Sequence, residues 1–236
     1  MRFTHTTELI TVTYCGDLAH LYFHALGLEK FWQGDKRWTI VVEDQVYYQR
    51  VIDWVDNNIK TQMPQWEINV CTGPKLVAVD GWHRQQILKL WAASVSERDY
   101  SIILDSKNFL IRELNPADFF ADNKPKVCLQ NKENTPSEDL INACRVLGLD
   151  PTQLTESFNI TPFVWNNNLI RDLLAELESR NYDIYNVKTL KGTEVALYWA
   201  FAQNKFEWAE TKEAWTIGQF GGLDRTQRLT PIEFLR

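Results

Sequence analysis

Tyr100-Ser-Ile-Ile-Leu-Asp-Ser-Lys-Asn-Phe-Leu-Ile-Arg112 is the stretch on which the fold turns. An apolar run, Ile102-Ile103-Leu104, stops on Asp105, and a second run, Phe109-Leu110-Ile111, starts four residues later. A buried strand that ends on a carboxylate is how an open α/β sheet presents an acid at the carboxyl ends of its strands, where such folds bind ligands. An acid at this place is equally at home as a turn residue or a helix cap, so the flanking segments have to decide between the two.

Upstream, strands and helices alternate. Leu9-Ile-Thr-Val-Thr-Tyr14 predicts a first strand, Cys15-Gly-Asp17 a turn, and Asp17 a cap for the helix carrying Leu18, Leu21, Tyr22 and Ala25. Trp38-Thr-Ile-Val-Val42 is a second strand, again followed by acids, Glu43 and Asp44. Helical spacing of Tyr47, Val51, Trp54 and Val55 predicts a helix from Val46 to Ile59. Trp66-Glu-Ile-Asn-Val70 is a third strand, Trp82 to Ser94 a helix, and Ser101 to Leu104 a fourth strand. This order predicts an α/β fold, a mostly parallel twisted sheet flanked by helices. Parallel strands would bring Asp17, Glu43, Asp44 and Asp105 to one edge of the sheet.

Downstream the pattern loosens into a mixed C-terminal region. Ala121 to Pro136 is polar, with a short strand candidate at Val127-Cys-Leu129. Ser137 is placed to cap a helix to Leu147, with Glu138 and Asp139 favouring its dipole and Gly148 ending it. Asn166 precedes a wide apolar stripe, Leu169, Ile170, Leu173, Leu174 and Leu177. Thr193 precedes a helix from Glu194 to Gln203 that is apolar on nearly every side and therefore buried. A last strand candidate is Ala214-Trp-Thr-Ile-Gly218. With no repeat or linker visible, residues 1–236 form one expected domain.

The formal net charge of −6 argues against a broad nucleic-acid surface, which needs clustered Lys and Arg. No run approaches the ~20 apolar residues of a membrane span, and Met1 to Thr13 lacks the features of a signal peptide. Cys15, Cys71, Cys128 and Cys144 are far apart and form no C-x-x-C pair, so reduced thiols and a cytoplasmic location are expected. The chain has no G-x-G-x-x-G after the first strand, no G-x-x-x-x-G-K and no G-x-S-x-G, which removes the main support for dinucleotide, P-loop and hydrolase-elbow readings. The 10 Trp, 8 Tyr and 12 Phe serve the core first, and a few exposed rings would suit stacking on a sugar or base.

Four groups of residues can carry chemistry. Asp17, His20 and His24 lie on one stretch of helix, either as a metal site or as ordinary histidines bordering an apolar face. Gln85 and Lys89 are one helical turn apart, suited to a base, a ribose or a phosphate, or else to a solvated helix edge. Glu194 opens a buried helix, where the dipole stabilises a carboxylate, whether as general base or as simple helix-start chemistry. Asp105 is the fourth.

In their order, these segments resemble a glycosyltransferase-like family of bacterial and phage proteins, long catalogued as a domain of unknown function, whose members resemble nucleotide-sugar glycosyltransferases of the A-type fold. The pieces that carry the resemblance are Ile10-Thr-Val-Thr-Tyr14 with Gly16-Asp17, Val41-Val-Glu-Asp44, Gly81-Trp-His-Arg-Gln-Gln-Ile-Leu-Lys-Leu90, Tyr100 to Asn108, Thr161-Pro-Phe163, and Thr193-Glu194 leading into Leu197-Tyr198. They run from about residue 8 to about residue 205.

The resemblance implies sugar transfer from a nucleotide-sugar donor to an acceptor hydroxyl of an unidentified glycan or other molecule. It also implies a donor half over about 1–115 and an acceptor-side elaboration over about 116–236. Its alternatives are a catalytically inactive nucleotide- or glycan-binding relative, and a structural or adaptor protein that retains the fold. By the same resemblance Asp105 takes the first position of a strand-end acidic motif that binds ribose and, through a divalent metal, diphosphate. Lys107 stands where a metal-binding Asp is usual. If the strand continues there, Asp105 and Lys107 point the same way, and the ammonium neutralises the leaving diphosphate in place of Mn2+ or Mg2+. Asp105 is the metal ligand only if a divalent ion is used. Thr13, Tyr14, Asp17, Gln85, Gln86, Lys89, Lys107 and Asn108 would line the donor side. Thr161, Phe163 and Glu194 would face the acceptor, with Glu194 as candidate base.

Overall fold

The computed structural model describes residues 3–43, 45–76, 79–128, 136–154, 162–185, 192–211 and 218–219. In chain order the elements begin with β1 (Thr7–Thr13), α1 (Leu18–Phe31), β2 (Arg37–Val42), α2 (Tyr48–Val55), β3 (Glu67–Thr72), α3 (Gly81–Val95) and β4 (Tyr100–Ile103). There follow β5 (Asn108–Phe109), β6 (Phe120–Ala121), β7 (Lys124–Cys128), α4 (Glu138–Leu147), β8 (Phe163–Asn166), α5 (Asn167–Ser179), α6 (Glu194–Ala202), β9 (Ala209–Thr211) and β10 (Gly218–Gln219).

The main sheet has the order β3-β2-β1-β4-β8. Its first four strands are parallel, and β8 pairs antiparallel with β4. The α/β class and the mostly parallel sheet expected above are therefore present. Strand period two sorts the core into two faces. Leu9, Trp38, Ile40, Val42 and Ile102 pack on α1 and α2 through Leu21, Leu28, Val51 and Val55. Ile10, Val12, Val41 and Ile103 pack on the other face, against α3, α4, α5 and α6, through Ile87, Leu90, Leu140, Ile170 and Leu197. Having apolar residues on both faces is what lets parallel strands sit between two helix layers.

Strand order places the site. From β1 the chain steps to β2 and then β3 on one side, then crosses by α3 to β4 on the other side of β1. The direction reverses between β1 and β4. In open α/β sheets the crevice outside the carboxyl ends at such a reversal is where ligands bind.

Caps set the helices that frame this crevice. Ser137, Asn166 and Thr193 each accept from backbone N–H groups in the first turns of α4, α5 and α6, and Gly148 ends α4 with φ of 64°. Gly192 has φ of 79°, and a Cβ there would lie 2.6 Å from the carbonyl oxygen of Asp139, so only glycine lets α6 start against α4. Tyr198 ties α6 to the sheet edge, its hydroxyl accepting from Asn166 N–H at 2.9 Å.

Several local expectations change. Asp17 precedes α1 but makes no side-chain cap bond, because its carboxylate is turned to other partners. The helix expected over 46–59 is α2 between a 3-10 turn at 45–47 and a π-helical turn at 56–60. In that last turn Asn57 and Asn58 donate side-chain N–H groups to the carbonyls of Asp53 and Trp54, which competes with the regular ladder and widens the turn. The strand β8 was not anticipated. It is four residues long and runs straight into α5, so no period is long enough to mark it. The candidate at 127–129 is β7 as far as Cys128, whereas 214–217 lie outside the described residues. Gly218–Gln219 pairs antiparallel with β5, beside the turn that follows β4.

Candidate functional site

The crevice between β1 and β4 is closed at its base by a bond across it. Ser106 Oγ, after β4, donates to Asp17 Oδ2, after β1, at 2.9 Å. Asp17 is buried, and its other oxygen lies 3.2 Å from His20 Nδ1. Tyr14 borders the same carboxylate. The charge of Asp17 is the largest cause raising the Tyr14 pKa, with burial, a hydrogen bond to Asp17 and the charge of Glu43 adding to it. The hydroxyl of Thr13, also buried, has no hydrogen-bond partner among the described residues.

An ionic triad lies beside this pair. Lys89 on α3 points its Nζ to Asp105 Oδ1 at 2.7 Å and to Glu194 Oε1 at 3.1 Å. Lys89 and Glu194 are buried, while the Asp105 side chain keeps 30% of its exposure. Burial alone would depress the Lys89 pKa, but the charges of Glu194 and Asp105 outweigh it and the net shift is upward. The ammonium is therefore fixed as a cation. Gln86 completes the corner, its Oε1 accepting from Glu194 N–H at 3.1 Å, while its Nε2 has no partner among the described residues. Three elements, α3, the end of β4 and, about ninety residues further on, the start of α6, are thus joined by one lysine.

Asp105 is presented by a turn. Asn108 N–H donates to Asp105 O at 2.9 Å, and Asp105 N–H donates to Asn108 Oδ1 at 2.8 Å. Because β4 ends at Ile103, the extended geometry that would have aligned Lys107 with Asp105 is absent. Lys107 is exposed at the turn, and the ammonium against Asp105 belongs to Lys89. Asp105 thus has an ammonium partner from α3 that the strand-end pattern did not signal.

Glu194 is enclosed rather than open to an acceptor. With Lys89 Nζ 3.1 Å from its Oε1 and almost no exposed surface, it is held in an ion pair and shielded from an incoming hydroxyl. Phe163 is half-buried on β8, its ring stacked at 6.2 Å on Trp165. Thr161 lies outside the described residues. Gln85 reaches Glu43, donating from Nε2 to Oε2 at 3.3 Å.

Besides Tyr14, named above for the donor side, two further exposed rings, Tyr47 and Trp82, come after strands of the same sheet. Tyr14, Tyr47 and Trp82 are 41%, 41% and 58% exposed, and they follow the carboxyl ends of β1, β2 and β3. Exposed large rings at three adjacent strand ends suit stacking on a planar or sugar ring.

The metal readings are not supported by the donors. Among the described residues no three His, Cys, Asp or Glu side chains gather to hold an ion. His24 is buried and held by Asn108 O and Thr11, whereas His20 meets Asp17. At Asp105 an ammonium 2.7 Å from one carboxylate oxygen would repel a divalent ion. No described helix is long and apolar enough to cross a membrane.

A family model described as "Family of unknown function (DUF6492)" matches residues 10–216. No curated protein matches the chain. Among solved structures, the crystal structure of S. aureus TarS 1-349 superposes with a TM-score of 0.47 at 14% identity, over 90% of this chain and 59% of that one. The chain thus spans less than two thirds of that structure's length.

Proposed function

Because the chain belongs to the DUF6492 family of unknown function, matched over residues 10–216, we propose its activity from the crevice itself: transfer of a sugar from a nucleotide-sugar donor to an acceptor hydroxyl. The observation that carries the reading is Asp105, half-open at the reversal point of the sheet and aimed by the buried Lys89 ammonium. A carboxylate so held accepts hydrogen bonds from ribose hydroxyls without rearranging. The residue-by-residue resemblance given above and the exposed rings Tyr14, Tyr47 and Trp82 support the same reading. In this reading Lys107, exposed on the turn two residues past Asp105, supplies positive charge near a bound diphosphate, while Lys89 is held between two carboxylates. Glu194 in this scheme anchors Lys89 instead of activating the acceptor.

The enclosure of Glu194 favours a second reading, in which the crevice binds a nucleotide or glycan without turnover. Both readings are tested together. Melting curves with uridine, guanosine, adenosine and cytidine diphosphates, each with manganese and with chelator, should show one nucleotide that stabilises the parent. At a hundredfold excess over Kd the gain is about 2.7 kcal/mol, which is several degrees for a chain of this size. Asp105→Asn should lose that gain. Release of the nucleoside diphosphate from the matching sugar donor then separates transfer from binding. No stabilisation by any diphosphate under either condition would remove transfer and nucleotide binding, and no stabilisation by a panel of soluble glycans would remove the remaining glycan-binding reading.

A further inference from the structure

A line of hydrogen bonds runs from the sheet core to the turn that presents Asp105. Trp38 Nε1 lies 3.0 Å from Thr11 Oγ1, which lies 3.3 Å from His24 Nε2, and His24 Nδ1 lies 2.5 Å from the carbonyl oxygen of Asn108. All four residues are buried. The chemistry of the two ends sets the direction throughout. An indole N–H only donates and a backbone carbonyl only accepts. Trp38 therefore donates to Thr11, the Thr11 hydroxyl donates to His24 Nε2, and His24 donates its Nδ1–H to Asn108. No other placement of protons satisfies all three bonds with a neutral ring. A second proton, on Nε2, would make Thr11 Oγ1 accept twice, turn its own O–H away from the ring, and put a charge on a fully buried imidazole. Burial independently holds the imidazole neutral, lowering its pKa to about 4.

The far end of the line is not more core. Asn108 is the residue whose side chain accepts Asp105 N–H and whose own N–H closes the turn on Asp105 O. Helix α1 is pressed onto this segment, because at Gly27 a Cβ would stand 2.8 Å from Leu110 N. We infer that His24 is a positioning residue for Asp105: its single directed proton locks the Asp105–Asn108 turn from beneath, and so sets the direction in which the carboxylate meets its ligand.

The inference rests on the reading of Asp105 as a ligand-contacting group, but its first measurement needs no ligand. In His24→Phe the ring volume stays and the donor goes, whereas in His24→Gln a side-chain N–H is retained. Backbone hydrogen exchange at Asp105 and Asn108 should speed up about tenfold or more in the Phe variant, and return close to parent in the Gln variant, while amides of α5 stay protected in both. Unchanged exchange at the turn in folded H24F, or a uniform rise across the chain, overturns the assignment. Should H24F not fold, ring nitrogen shifts of the parent decide. A neutral Nδ1–H tautomer at about pH 7 supports the line, and an Nε2–H or doubly protonated ring reverses it. With the diphosphate found above, H24F should bind about tenfold more weakly and H24Q like parent, a difference of about 1.4 kcal/mol. A parent that binds no diphosphate defeats the transfer reading and leaves the exchange result standing.

Discussion

Lys89 shows how one side chain is fixed by opposing effects. A buried ammonium is unfavourable, but two carboxylates at 2.7 and 3.1 Å make the charged form the stable one. Its pKa is raised, so the stabilisation is complete below the ordinary lysine value and is lost only as pH climbs through the raised one. Removing the cation leaves the enclosed Glu194 uncompensated. Lys89→Met should therefore lower stability by about 3–5 kcal/mol in urea titrations. The double variant Lys89→Met/Glu194→Leu should recover much of that loss, since both buried charges of that pair are then gone. Additive losses in the double variant would mean that the triad is not what joins α3 to α6.

At the scale of elements, α1 and the segment after β4 are held at backbone contact. Gly27 is in the interior of α1, where alanine would ordinarily gain about 1 kcal/mol in helix propensity. Here the added methyl carbon meets Leu110 N at 2.8 Å and Leu110 O at 3.1 Å. Backbone cannot swing aside as a flexible side chain would, so the packing penalty, about 1–3 kcal/mol, decides the sign. Gly27→Ala should lower the melting temperature, and it should loosen the Asp105 turn more than it disturbs α5 or α6. A melting temperature equal to or above that of the parent would show that α1 can retreat freely. The helices α4, α5 and α6 are set instead by their caps, which makes their starting points a local property.

For the molecule as a whole, acid stability carries the imprint of the buried histidine. Unfolded, His24 titrates near its ordinary value of 6.5; folded, it holds off protonation to about pH 4, chiefly because burial disfavours the charged ring. A depressed folded pKa contributes stability above the unfolded value and loses it as pH falls through the window from 6.5 to about 4. The loss is on the order of 3 kcal/mol across that window. Urea midpoints measured at several pH values should fall more steeply for the parent than for His24→Gln over this range. Parallel curves would mean that the ring is protonated in the folded state.

The alternation of strands and helices, the two-faced apolar patterning of β1, β2 and β4, and the caps at Ser137, Asn166 and Thr193 were all legible along the chain. Each depends on residues only a few positions apart, and local physics acts at that range. The arrival of Asp17, Glu43 and Asp105 at one sheet edge also followed, because parallel strands share their carboxyl ends. Which ammonium stands against Asp105 did not follow. Lys107 is two residues away but is carried off by the turn, whereas Lys89 is brought from α3, and Glu194 from the start of α6, only when the helices pack on the sheet. The same holds for the line from Trp38 through Thr11 and His24 to Asn108, which crosses two strands and a helix before reaching the turn. Partners from a dozen to more than a hundred residues apart leave no period in a sequence, and the direction of a buried charge or proton is decided by what the tertiary fold sets beside it.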